Sequence, residues 1–328
     1  FGATGDVSEL DLAAWRSFGE RYLLAAGEPA QVAAVTAAAA TPPPSYRIDS
    51  LGVGRLSAGE RQFGAARLDL WGVGALWQGS IEADWVQGAL TRDVGSDGLE
   101  LLIEHLDLSG LLCGGKLDLE TVRELLPTMR VDVLELRDGQ QLLRALGFTI
   151  DAQQPDNALY FSDIEGELWN VELAAAAPGM LAWGPGTTGE ETTLELDLGI
   201  ANIGDTLEAM GYARTVESDG GRGTLRLRWP GAPTQLEFAA AQGTFGLVLK
   251  DGRFLETRPG ALAMVSFLNF AEILRRLSLS HMFESGIPFD RARADLGFAA
   301  GVMTISDLEI DGAASAFAFN GTRALDTG

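Results

Sequence analysis

The sequence predicts a mainly β fold: antiparallel sheet built from repeated units, with a few short helices. Three observations lead there. Apolar and polar side chains alternate over many short segments, the two-residue period of strands with one apolar face. Turn-forming pairs such as Asp138-Gly139, Asp219-Gly220, Asp251-Gly252 and Asp311-Gly312 are expected to fall between those segments as hairpin and meander turns. And one half-apolar motif is written twice: "ALWQGSIEADW" from Ala75 returns as "ALYFSDIEGELW" from Ala158, at an offset of 83 residues.

Taken in order, "LDLAAWRSFGERYLLAA" (Leu10 to Ala26) places Leu12, Trp15, Phe18 and Tyr22 at helical spacing and reads as a short amphipathic helix. An Ala-rich, then Pro-rich linker follows, Ala33 to Pro44. "PSYRIDSL" at Pro44 then matches "PTMRVDVL" at Pro127, again 83 residues apart, and "LDLETVRELL" (Leu117 to Leu126) echoes the first helix just before the second copy. One unit of helix, proline and strands is therefore used twice. The expected division is 1–126, 127–229 and 230–328, the last block keeping the strands and carrying a more apolar helix. Stacked units extend a face in one direction, which favours an elongated, curled sheet over a closed sandwich.

The strand phase sets particular residues on one face. Ile81 and Ile164 hold matching places in the repeated motif, with Glu82 and Glu165 turned to water. In "TLELDLGI" Leu194, Leu196 and Leu198 lie opposite Glu195 and Asp197; in "TLRLRW" Leu225 and Leu227 lie opposite Arg226 and Arg228. Phe245, Leu247 and Leu249, then Phe298, Leu308 and Ile310, then Phe317 and Phe319 continue the apolar series. Few amphipathic helices are available to cover these faces, so they must meet another sheet, curl onto themselves, or hold something apolar.

Composition narrows the function. A net charge of −22 repels phosphate backbones and argues against nucleic acid. Cys113 stands alone, so no internal disulfide forms, a count that suits a cytoplasmic or a periplasmic protein. Phe1 is not Met and no leader pattern opens the chain, so a piece of a longer protein is expected. His105 and His281 have no partners at metal-ligand spacing, and neither a phosphate loop nor a nucleophile elbow is present. Paired acids at Glu82/Asp84 and Glu165/Glu167 read as the wet side of strands. The expectation is a non-enzyme with no catalytic residue, cofactor or metal; the rival is a secreted carbohydrate-binding or hydrolytic β module using Trp71, Trp77 and Trp183 with nearby acids.

From Pro259 to Asp290 the chain is unusually apolar. A helix over 261–277 places Leu262, Phe267, Phe270, Ile273 and Leu274 around most of its circumference, with Arg275 and Arg276 at its last turn. Its most apolar run, Ala261 to Ala271, is too short to span a bilayer, so such a helix is buried against a sheet end or lies on a membrane surface.

The stretch from Trp229 to Thr322, with "LKDGRFLE", the apolar helix, "FDRARADLGFAAGVMTISDLEIDG" and a Phe-rich last strand in that order, resembles the C-terminal region of YhdP-type members of the AsmA-like family of bacterial envelope proteins. The resemblance implies a long β-groove with an apolar interior that carries phospholipids across the periplasm of a Gram-negative bacterium. It implies an inner-membrane anchor outside this segment and an outer-membrane contact through the C-terminal end. The residues of the apolar series, Ile81 through Phe319, would then line the groove, and the 261–277 helix would close it or meet the membrane. No catalytic residue is implied, and the Ala33–Pro44 stretch departs from the family's pattern. Replacing Phe267 and Phe270 together by Ser is expected to weaken flotation of the protein with liposomes while leaving its melting midpoint near that of the wild type; collapse of the midpoint with unchanged flotation marks a structural plug instead.

Overall fold

The computed structural model describes residues 2–12, 14, 45–58, 61–73, 76–92, 99–109, 118–138, 141–255, 287–312 and 315–325. These form a mixed β-sheet of 19 strands with short helices, the mainly β class expected. The chain divides into two compact units, Phe1–Ser162 with Trp183–Pro185, and Asp163–Ala182 with Gly186–Gly328.

In the first unit β1 (Gly2–Val7) and β2 (Leu10–Asp11) lie parallel to β3 (Ser45–Ala58). β4 (Arg61–Val73), β5 (Leu76–Ala83), β6 (Val86–Arg92) and β7 (Leu99–Asp107) continue from β3 as an antiparallel meander. β8 (Met129–Asp138) then pairs parallel to β7, and β9 (Gln141–Asp151) antiparallel to β8. The parallel pairs correct the expectation of a purely antiparallel sheet, and chain direction explains them. β3 and β7 point the same way, so the next repeat can start in that direction only after a return crossing.

Helix α1 (Leu119–Leu125) lies in that crossing. Asp118 caps it, its carboxylate accepting the Thr121 N–H at 2.8 Å and the Thr121 hydroxyl at 2.7 Å. Leu119 and Val122 bury its inner face. Arg123 ties it down, donating to the Ala152 carbonyl at 3.1 Å and to Asn157 Oδ1 at 3.2 Å. Of the helix expected over Leu10–Ala26, Leu10 and Asp11 are strand, Leu12 and Ala14 are helical, and all of the rest lies outside the described residues, as do the Ala33–Pro44 linker and the 261–277 helix.

β10 (Leu159–Leu168) and β12 (Gly179–Pro185) supply residues to both units. The second unit adds β11 (Val171–Glu172), β13 (Glu190–Ile200), helix α2 (Ile203–Ala209), β14 (Val216–Ser218) and β15 (Gly221–Pro230). β16 (Gln242–Phe254), β17 (Ile287–Ala299), β18 (Val302–Gly312) and β19 (Ser315–Ala324) complete it as an antiparallel meander. Asp251-Gly252, expected as a turn, lies inside β16. Asp251 takes φ 45° there, and Gly252 lets the strand run tight against the Glu217 carbonyl and the Phe289 ring.

The Asp118 carboxyl is held below the usual carboxylate range, first by the Thr121 N–H and then by the Thr121 hydroxyl. Its cap therefore stabilises the fold above that range and is lost as pH falls through the lowered value. Asp118→Ala is expected to cost about 1 kcal/mol in urea unfolding at neutral pH. The gap between variant and wild type should close in acid.

Candidate functional site: an apolar sheet face

In the second unit the strand registers gather the predicted apolar series into rows. Leu194 faces Leu227, and beyond Gly243 the row continues through Phe298 to Met303. Leu196, Leu225, Phe245, Leu296 and Ile305 make the next row. Leu198, Gly223, Leu247, Ala294, Leu308 and Phe319 make a third; Ile200, Gly221, Leu249, Ala292, Ile310 and Phe317 a fourth.

Beside the second row, Gly179 brings Ile164 and Leu196 together: a Cβ there would meet both side chains. Two clusters result. Leu227 and Met303 are buried with Trp229, Ala241, Leu296, Phe298, Ile305 and Leu308; Leu249, Phe254, Phe289, Ala292 and Ile310 form the other. Ile203 of α2 and Val216 of β14 pack on the second cluster. Phe238 packs on Phe298 at 5.8 Å between ring centres, and the Trp229 indole N–H donates to the Ala232 carbonyl at 3.1 Å.

The residues missed by sequence reasoning sit largely on β17 and β18. Met303 and Ile305 are out of phase with Leu308 and Ile310; the register shift between Ile305 and Leu308 brings all of them to one face. Ala292 and Ala294 were hidden among the arginines of "DRARAD".

Charges occupy the opposite face. Arg226 reaches Glu195 and Asp197, both at 3.2 Å, and also donates to the Leu196 carbonyl at 3.1 Å. Arg293 pairs with Asp295 at 2.8 Å. Glu217 takes Arg253 at 2.8 Å and Arg214 at 2.9 Å, and these two guanidinium groups, Arg253 first, hold its carboxyl below the usual range. Arg214 also pairs with Asp205 and with Glu208, locking α2 to β14.

In the first unit the rows are Ile48, Leu70, Gly79, Leu90, Leu101, Val131 and Phe148, and beside them Leu51, Leu68, Ile81, Gly88, Ile103, Val133 and Leu146. Where Gly79 and Gly88 interrupt the large side chains a cavity of about 280 Å³ opens, lined chiefly by Ile48, Leu51, Leu68, Leu70, Ile81, Leu90, Leu101 and Met129. A Cβ on Gly88 would lie 2.8 Å from the Leu102 carbonyl oxygen, so the strands approach here only because the residue is glycine. Of this cavity the sequence reading named Ile81 alone; alternation in "RLDLWG" was the available signal.

Of the aromatics of the carbohydrate reading, the two with described side chains differ in exposure. Trp183 is only 3% exposed, Trp71 is 39% exposed on the polar face of β4, and the Trp77 side chain lies outside the described residues. His105 Nδ1 lies 3.2 Å from Glu135 Oε1, within hydrogen-bonding reach on the β7–β8 surface. Glu82, Asp84 and Glu165 are exposed. Among the described residues there is no cluster of His, Cys, Asp and Glu that could hold a metal, and no helix long and apolar enough to cross a membrane.

A family model described as YhdP protein matches residues 1–327. No curated protein and no solved structure matches the chain.

The two faces differ in how tightly they are filled, which a pair of truncations measures. Leu227→Ala, at a site 4% exposed, is expected to cost about 2–5 kcal/mol in urea unfolding. Leu90→Ala, half-buried at the open cavity, should cost less than about 2 kcal/mol.

Proposed function

The chain belongs to the YhdP family, and from that premise we propose that it is a non-enzymatic carrier of phospholipids across the periplasm, the acyl chains sliding along the apolar sheet face between inner and outer membranes. The observation that supports the reading most is the row structure at the centre of each unit. In each unit the rows named above set apolar residue opposite apolar residue or glycine across adjacent strands, with the ion pairs of Arg226 and Arg293 on the other face of the second unit. Exposing acyl chains to water costs about 0.8 kcal/mol per CH₂, so a carrier needs lining that is continuous over many methylenes. Sheet rows extended strand by strand supply it, and glycines such as Gly79 and Gly88 leave the depth a chain requires.

On this proposal the residues from Ile81 to Phe319 named above line the path. The 261–277 helix, with Arg275 and Arg276 suited to a phosphate headgroup, meets the outer membrane, and an anchor beyond this segment holds the inner one. The repeat division at 126/127 and 229/230 belongs to the same reading. The carbohydrate alternative is disfavoured by the burial of Trp183.

Neighbouring residues on opposite faces provide the test. Leu90 lines the cavity and Ala89 is exposed on the polar side. Leu90→Lys in the full-length protein is expected to abolish phospholipid transfer, because a bare ammonium in an acyl-lined path is costly to desolvate. Ala89→Lys should leave transfer unchanged. Equal transfer by both folded variants would rule out this face as the path.

A further inference from the structure

We propose that the open edge of β19 is a strand-addition site for an extended partner segment whose residues alternate between apolar and basic. The inference is independent of the lipid reading. Among the described residues the registers place β18 on one side of β19 and no strand on the other, leaving a row of backbone donors and acceptors from Ser315 to Ala324.

Sheet edges are ordinarily protected by charge, interruption, bulges or proline, and the edge formed by β1 and β2 shows such devices. It is broken between Val7 and Leu10, carries Asp6, bends at Gly5 with φ 133°, and shifts register between Thr4 and Asp6. β19 has no proline and a single charge, Arg323, near its end. An edge left bare in a chain that protects another edge so fully is suited to being paired.

The partner's chemistry follows from the two faces. Phe317 and Phe319 extend the rows of Ile310 and Leu308, and Phe319 is still 36% exposed, so an added strand gains by placing apolar side chains there. On the other face, at its start, β19 presents Ala316 and Ala318, both exposed, opposite Asp311 and Glu309 of β18, with Asn320, Thr322 and Ala324 following on that face. Strands lie about 4.8 Å apart, so a Lys or Arg on an added strand reaches over these small residues to the two carboxylates. A second copy of the chain, with its net charge of −22, brings the wrong sign to that face.

The test uses the whole chain and a synthetic peptide of alternating Val and Lys about as long as β19, against a peptide of the same composition written as a Val block and a Lys block. The alternating peptide is expected to bind at least about tenfold more tightly in fluorescence anisotropy and to slow amide exchange in β19. Ala318→Lys should abolish both effects without moving the melting midpoint, and Ala89→Lys, the same charge placed elsewhere, should leave them intact. Equal affinity for the two peptides would reduce the effect to bulk electrostatics and overturn the proposal, as would exchange protection outside β19. Self-association in light scattering that Ala318→Lys removes would also overturn it, by making a second copy the occupant.

Discussion

A pleated strand has two faces and a period of two residues, and this protein depends on keeping its apolar side chains on the same face of each successive strand. A slip of one residue between β13 and β15 would turn Leu225 and Leu227 outward and bring Arg226 and Arg228 in. The registers prevent this through paired features on both sides of the sheet: Leu194 against Leu227 on one, Glu195 against Arg226 on the other. Exposed ion pairs of this kind add little stability, about 0–1 kcal/mol each. Their weight lies in the alternative register, where the same charges would be desolvated without partners.

Long strands cannot hold a strict alternation while they twist, and the chain corrects its phase with bulges. In β18 the extra residue between Ile305 and Leu308 returns Leu308 and Ile310 to the face of Met303 and Ile305. In β3 the shift between Ile48 and Leu51, with Ser50 at φ 50°, does the same for Leu51 and Val53, and β8 repeats it between Val133 and Leu136. In β10 Asp163 takes φ 52° just before Ile164. Ser50 and Asp163 are short polar residues that tolerate the left-handed backbone.

This division sets what could be read from the sequence. Unbroken alternation was legible, so Leu194 through Leu249 were assigned to one face from their spacing alone, and the registers align them. Phase changes were not, because a bulge removes the period on which the assignment rests; Met303 and Ile305 were missed for that reason, and Asp251-Gly252 was taken for a turn when it is a kink within one strand. The cavity of the first unit was hidden for a different reason. Its depth comes from Gly79 and Gly88, and an absent side chain leaves no periodic mark. Parallel pairing was equally silent, since β7 and β8 carry the same alternation whichever way they run.

Helices α1 and α2 show how one kind of element serves two geometries. Between β7 and β8 the chain must return to the starting side of the sheet, and α1 travels with that crossing, capped by Asp118 and pinned by Arg123. After β13 no return occurs: Ile200 pairs with Gly221, so the chain re-enters the sheet at the end it left. α2 and β14 are therefore an excursion at that end. Their apolar residues, Ile203 and Val216, cover Leu249, Phe254 and Phe289, and Arg214 holds the excursion closed through Asp205, Glu208 and Glu217. An open apolar row ends in water unless something covers its last residues. In the second unit α2 covers one such end, which places the freedom to exchange contacts along the face and at the β19 edge instead.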